Sequence, residues 1–131
     1  MPDAASVLVV DDDVAVGTVL AALLKQNGFD TTFVPNAQAA LATLEKRPFD
    51  LVMSDVRMPG MDGFELTAAI RSDPQLHATP VVLLTSLNDE ASRRKGRLVG
   101  ATSFLTKPVS VEELRRQVGT LLKLPAKKVT R

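Results

Sequence analysis

The chain has 131 residues, of which 45% are hydrophobic and 24% charged, with no cysteine and one histidine. A chain of this length removes roughly two thirds of its unfolded surface from water, enough for one domain with a core. No apolar run approaches the ~18 residues of a membrane span, and Met1 to Ser6 show no basic region followed by a hydrophobic stretch, so no membrane contact is expected and the cytoplasm is the expected location. Disulfides, thiolate metal sites and His-rich metal centres are excluded. The formal charge of +1 conceals a split: residues 1–90 hold five basic and thirteen acidic side chains, a net of −8, while residues 91–131 hold eleven basic and two acidic, a net of +9. Such asymmetry often marks separate ligands or partners.

Short apolar runs alternate with helical patterns five times. Val7–Val10 is a continuous apolar run of buried-strand type, followed by Val16, Leu20, Leu23 and Leu24 at helical spacing, with Gly28 as the stop. Thr31–Val34 reads as a second strand, and Asn36 caps a helix carrying Ala40, Leu41 and Leu44. Leu51–Met53 is a third strand. Pro59-Gly60 signals a turn before a helix from Gly63 to Arg71, capped by Asp62. Pro80–Leu84 is a fourth strand, with a helix from about Asp89 to Leu98 capped by Asn88. Ser103–Leu105 is a weak fifth strand. Ser110 and Glu113 form a capping box for a last helix with Val111, Leu114, Val118, Leu121 and Leu122 inward. Alternation of this kind implies right-handed crossovers and a parallel sheet covered on both faces, and the near-continuous apolar strands agree. The expected fold is α/β, a doubly wound five-stranded parallel sheet with five helices.

Ligands of open parallel sheets bind beyond the carboxyl ends of the strands. Asp11, Asp12 and Asp13 follow the first strand, Asp55 the third, Thr85 and Ser86 the fourth, and Lys107-Pro108 the fifth. Two carboxylates about 4 Å apart repel by roughly 4 kcal/mol at an effective dielectric near 20, so a converging acidic cluster calls for a cation, a proton or open solvent. Mg²⁺ suits it, because it is a hard ion that binds through one or two carboxylates and keeps room for phosphate oxygens. With the metal present a carboxylate can attack phosphorus and form an acyl phosphate. Asp55, which ends its strand alone, is the candidate nucleophile, Asp11 and Asp12 the metal ligands, Lys107 a point charge for phosphate oxygens and Thr85 a hydrogen-bond donor to one of them. Taken singly, each has a structural explanation. Asp12 or Asp13 can cap the first helix, Asp55 can be a solvated loop acid, Thr85 or Ser86 can close a local turn, and Lys107 can simply precede a helix-starting proline. Complementary polar groups at four strand ends out of five outweigh those separate readings.

At these residues the sequence resembles the receiver domain of bacterial two-component response regulators. The resemblance is carried by Val-Leu-Val-Val-Asp-Asp-Asp (7–13), Ser-Asp-Val-Arg-Met-Pro-Gly-Met-Asp-Gly (54–63), Val-Val-Leu-Leu-Thr-Ser (81–86) and Phe-Leu-Thr-Lys-Pro (104–108), in order and at matching spacing. It implies a flavodoxin-like sheet with strand order 2-1-3-4-5, a receiver over residues 6–123 and a short basic tail over 124–131. It also implies that Asp55 accepts a phosphoryl group from a sensor histidine kinase or histidine phosphotransfer protein, with Mg²⁺ held by Asp11, Asp12, Asp55 and the backbone carbonyl of Arg57. Thr85 and Phe104 match the switch positions, Lys107 the lysine of the motif, and the Lys107-Pro108 peptide bond would be cis. Output would be read at the face of the fourth helix, fifth strand and fifth helix. Such a domain is not an enzyme in the ordinary sense, catalysing only its own phosphoryl transfer and dephosphorylation. Gly17 departs from the family's pattern, standing where many relatives carry Arg on the first helix, near the docking site of the phosphodonor.

A phosphohydrolase of the haloacid-dehalogenase type shares Asp11-x-Asp13, Thr85 and a later Lys. It leaves Asp55 idle, however, and after Lys107 the only acids are Glu112 and Glu113 in a helix. No Gly-x-x-x-x-Gly-Lys-Ser/Thr occurs, which excludes a P-loop. His77 lies alone between Pro74 and Pro80 and reads as a surface residue. The run Arg93-Arg94-Lys95-x-Arg97 falls on the fourth helix, where the family presents its output surface, and favours a partner with an acidic surface. With no Trp, no Tyr and five scattered Phe there is no stacking platform, so direct nucleic-acid binding is not expected.

Overall fold

Five strands each lead into a helix: β1 (Ser6–Val10), α1 (Val14–Gln26), β2 (Asp30–Val34), α2 (Ala37–Lys46), β3 (Leu51–Asp55), α3 (Gly63–Ser72), β4 (Val81–Thr85), α4 (Glu90–Val99), β5 (Ser103–Thr106) and α5 (Val111–Leu122). The computed structural model describes residues 4–85 and 90–122. Ser86, Asn88 and Asp89, as well as the 124–131 tail, lie outside the described residues. All four strand pairings are parallel, in the order β2-β1-β3-β4-β5. The expected doubly wound, flavodoxin-like topology is therefore the observed one.

Alternate strand residues supply two cores. Leu8, Val10, Val52, Val81 and Leu83 meet Ala40 and Leu44 of α2 and Leu66 and Ile70 of α3. Val7, Val9, Leu51, Met53, Val82, Leu84 and Leu105 meet Leu20 and Leu24 of α1 and Leu114 and Val118 of α5. Burial on both faces explains why β1 and β4 are continuous in Val and Leu rather than alternating with polar residues.

The helix starts follow side-chain chemistry. Asp13 accepts from the Val16 N–H, Asn36 from Ala39, and Asp62 from Glu65. Glu65 returns a bond to the Asp62 N–H, so α3 begins with a complete capping box. At α5 the expected box is only half formed. Ser110 Oγ accepts from the Glu113 N–H at 3.0 Å, while the Glu113 carboxylate turns to Arg116 and Gln117. Arg116 Nη2 donates to both Glu113 carboxylate oxygens, which explains the diversion and holds the Glu113 pKa below its ordinary value.

On α1 the inward face is set one residue away from the one expected. Gly17, Leu20, Ala21 and Leu24 are buried, whereas Val14, Val16 and Val19 are 59%, 40% and 60% exposed. A Cβ at Gly17 would overlap the Phe33 ring of β2. Gly17 is therefore a packing residue under α1, not part of an outward docking surface, and the ring from β2 takes the space a side chain would need.

Candidate functional site

The site lies at the carboxyl ends of β1, β3, β4 and β5. Asp11 follows the last residue of β1 and is fully buried, with its Oδ1 accepting from the Asp13 N–H at 2.9 Å. That bond directs its second oxygen, Oδ2, to Lys107 Nζ at 3.3 Å. Asp55 is the last residue of β3, and its Oδ2 lies 3.1 Å from the same ammonium. Asp12 stands exposed beside them. One carboxylate oxygen from each of Asp11, Asp12 and Asp55 falls within a cluster 4.8 Å across. Lys107, which follows β5, is placed by its own N–H donating to the Thr85 carbonyl at 2.7 Å. The Lys107-Pro108 peptide bond is cis.

Burial raises the Asp55 pKa above its ordinary value; the Lys107 ammonium opposes that rise, the Asp11 charge adds to it, and the Arg57 N–H hydrogen bond to the carboxylate opposes it. Burial by itself would lower Lys107, but the two carboxylates it faces outweigh desolvation and raise it. One cation thus serves two acids, and the third has solvent in its place.

Thr85 ends β4 with its side chain buried, in register with Thr106 of β5. Arg57 lies on the rim. Together with Asp12, Val56, Met58, Pro59, Asp62, Phe64 and Ser92 it lines an open cleft of about 530 Å³. Phe104 lies on β5 two residues before Thr106 and is half-buried. Every residue expected at the site is therefore brought to this edge except Phe104, which sits further down β5 under α4. Ser86 lies outside the described residues.

Gly63 makes this geometry possible in a way the residue pattern does not reveal. Its N–H donates to the Val56 carbonyl at 2.9 Å, and a Cβ would lie 2.9 Å from Val56 Cα and closer still to the Asp55 carbonyl oxygen. The backbone contact draws the start of α3 against the end of β3. Gly63→Ala is expected to cost about 1–3 kcal/mol through overpacking against unyielding backbone, measured as a fall in the urea midpoint with unchanged slope.

The model of the response regulator receiver domain matches residues 7–119. The chain belongs to this family. Its receiver is 41% identical over 112 residues to an uncharacterized 14.6 kDa protein of Leptolyngbya boryana, covering 86% of each chain. It is 33% identical over 118 residues to the sensory transduction protein RegX3 of Mycobacterium bovis, spanning 90% of this chain but only 51% of that one. Among solved structures, the chemotaxis protein CheY4 of Vibrio cholerae superposes with a TM-score of 0.86 at 34% identity, covering 90% of this chain and 98% of that one. The receiver of the sensor histidine kinase PA1611 from Pseudomonas aeruginosa, solved with a magnesium ion in its active-site cleft, gives 0.85 at 27% identity over 92% and 98%. Receivers of this family are two-component and chemotaxis signalling modules that work with histidine kinases and phosphotransfer proteins, and they are not classical enzymes. Among the described residues no helix is long and apolar enough to cross a membrane.

Proposed function

We propose that the receiver is a phosphorylation-controlled switch whose acceptor is Asp55. The observation that carries this reading is the sharing of Lys107 between Asp55 and the buried Asp11, with Asp12 completing an acidic cluster that one ammonium does not neutralise. The donor set is all oxygen and rich in charge, which fits a hard divalent cation. Asp11, Asp12, Asp55 and the Arg57 carbonyl would hold Mg²⁺, which when bound supplies neutralisation of phosphoryl-oxygen charge. An Asp55 carboxylate oxygen attacks phosphorus, the O–P bond forming as the donor's N–P bond breaks. The departing imidazole keeps the electron pair and takes a proton. Lys107 and the Thr85 hydroxyl bind the transferred oxygens. Later hydrolysis of the acyl phosphate resets the switch, so the chain acts catalytically only on itself. The reading assigns the receiver to residues 6–123, the basic tail to 124–131, and the cytoplasm as the place of action.

The phosphodonor surface is α1. Val14, Val16 and Val19 are exposed, and an apolar groove of about 550 Å³ runs from Val16 and Val19 past Leu23 to Lys107, Pro108 and Val109. It opens beside Asp55's ammonium partner, where the histidine-bearing helices of a kinase or phosphotransfer protein would seat. Val19→Asp is expected to slow transfer from a phosphorylated histidine donor at least about 10-fold, one good contact at 1.4 kcal/mol, while leaving transfer from a small phosphodonor unchanged.

Output is read at α4, β5 and α5 by a partner with an acidic surface. The basic run of α4 divides its work: Arg97 pairs with Glu90 at 2.9 Å and Lys95 lies 4.9 Å from the Phe64 ring centroid, while the exposed Arg94 faces solvent. Association of this kind weakens with salt.

The test is intact mass after incubation with a small phosphodonor. The wild type is expected to gain one phosphoryl group with Mg²⁺ and none with a chelator; an unmodified mass with Mg²⁺ rejects the reading.

A further inference from the structure

Gly96 is the one fully buried residue of helix α4, and the half-buried Val99 packs against the core on the same side. A Cβ at Gly96 would lie 2.5 Å from Phe104 Cε2 and 3.2 Å from Leu83 Cδ1, so the Phe104 ring fills the notch that glycine leaves. One turn earlier on the same helix, Arg93 closes over that ring. Its guanidinium carbon lies 5.5 Å from the ring centroid, and its Nη2 donates to Thr106 Oγ1 at 3.1 Å. Its Nε is buried and has no hydrogen-bond partner among the described residues. Thr106 is in a particular place: it pairs in register with Thr85 and immediately precedes Lys107. Lys107 in turn holds Asp55 and Asp11 and donates its N–H to the Thr85 carbonyl.

We propose that Arg93 is a latch that fastens α4 over Phe104 and opens when a phosphoryl group reaches Asp55. The inference rests on the phosphoacceptor reading above. Thr85 and Lys107 are the two groups that would follow the new dianion, and Thr106 is tied to both, by strand pairing to one and by the chain to the other. A shift of Thr106 Oγ1 breaks the one hydrogen bond that Arg93 makes there. The latch is weak by construction, because a buried Nε without a partner gains hydration as soon as the side chain swings out. Release frees a guanidinium on the face that meets the output partner and unpins α4 from the Phe104 ring. Arg93 is thus a positioning residue that links the site to α4.

Amide hydrogen exchange on the full chain, resolved by segment, tests the latch. In the wild type, phosphorylation by a small phosphodonor with Mg²⁺ is expected to speed exchange across α4 about 10-fold, on the scale of one charge-assisted hydrogen bond. In Arg93→Ala, α4 is expected to exchange about 10-fold faster without phosphorylation, and phosphorylation then changes it less than about 2-fold. Exchange in α2 serves as the control for general loosening and is expected to stay at the wild-type rate. Gly96→Ala, which evicts the ring from its notch, should reproduce the Arg93→Ala pattern. Wild-type exchange of α4 in Arg93→Ala would overturn the latch, as would fast exchange that phosphorylation still accelerates by the full wild-type factor. A wild type that gains no phosphoryl mass overturns the acceptor reading and the coupling together, whereas mass gain with unaltered α4 exchange overturns the coupling alone.

Discussion

Lys107→Ala is expected to slow phosphoryl transfer to Asp55 by roughly 10²–10³-fold, the loss typical of removing one preorganised stabiliser of transition-state charge. Lys107 is the only cation bonded to Asp55 among the described residues, at 3.1 Å, and it bridges to Asp11 at 3.3 Å. The same substitution strands a fully buried carboxylate at Asp11. Removing one partner of a fully buried pair costs about 3–5 kcal/mol. Lys107 is 23% exposed, so solvent screens part of that loss and about 2–3 kcal/mol is expected. Mg²⁺ would occupy the same acidic cluster, and a ligand at 100 times its dissociation constant stabilises by about 2.7 kcal/mol. Urea unfolding with and without Mg²⁺ should therefore show a larger stabilisation by the ion in Lys107→Ala than in the wild type. Equal stabilisation in both would mean that lysine and metal do not answer the same charge.

The second large effect separates binding from stability. Asp12 is exposed and lies on the solvent side of the cluster. Asp12→Asn removes one charge from a cluster that a single ammonium does not neutralise, so without Mg²⁺ it is expected to raise unfolding stability, by about 1 kcal/mol at this solvent-screened position. It should nevertheless weaken Mg²⁺ binding at least about 10-fold, since even indirect support of a metal ligand is worth 10–100-fold. With no tryptophan in the chain, calorimetry or NMR titration is the suitable readout. An unchanged affinity would remove Asp12 from the ligand set.

The fold was readable because burial on both faces leaves an unmistakable mark: Val7–Val10 and Val81–Leu84 are apolar without interruption, and polar residues begin where each strand meets the site edge. Positions at strand ends were legible for the same reason, since Asp11, Asp55, Thr85 and Lys107 each follow or close an apolar run. The face of α1 was not. Its residues are apolar nearly all round, so the sets 16-20-23-24 and 17-20-21-24 fit helical spacing equally well, and only the Phe33 ring against Gly17 decides between them. Gly63 was legible as a helix start but not as the point where α3 touches the backbone of Asp55. Nor does spacing along α4 show that Arg93 turns inward to Thr106 while Arg97 pairs with Glu90, because those partners come from a strand ten or more residues away and from the far end of the helix. The charge split also gains a sharper meaning. The acidic part holds the cluster at the strand ends, and part of the basic run on α4 is engaged within the molecule rather than facing solvent.

Peptide mapping after phosphoryl transfer with Mg²⁺ tests the central claim most directly. The phosphoryl group is expected on the peptide that contains Asp55, with Asp55→Asn gaining no phosphoryl mass under the same conditions. A group found on another peptide, or a full mass gain that survives Asp55→Asn, would contradict the assignment of Asp55 as the acceptor.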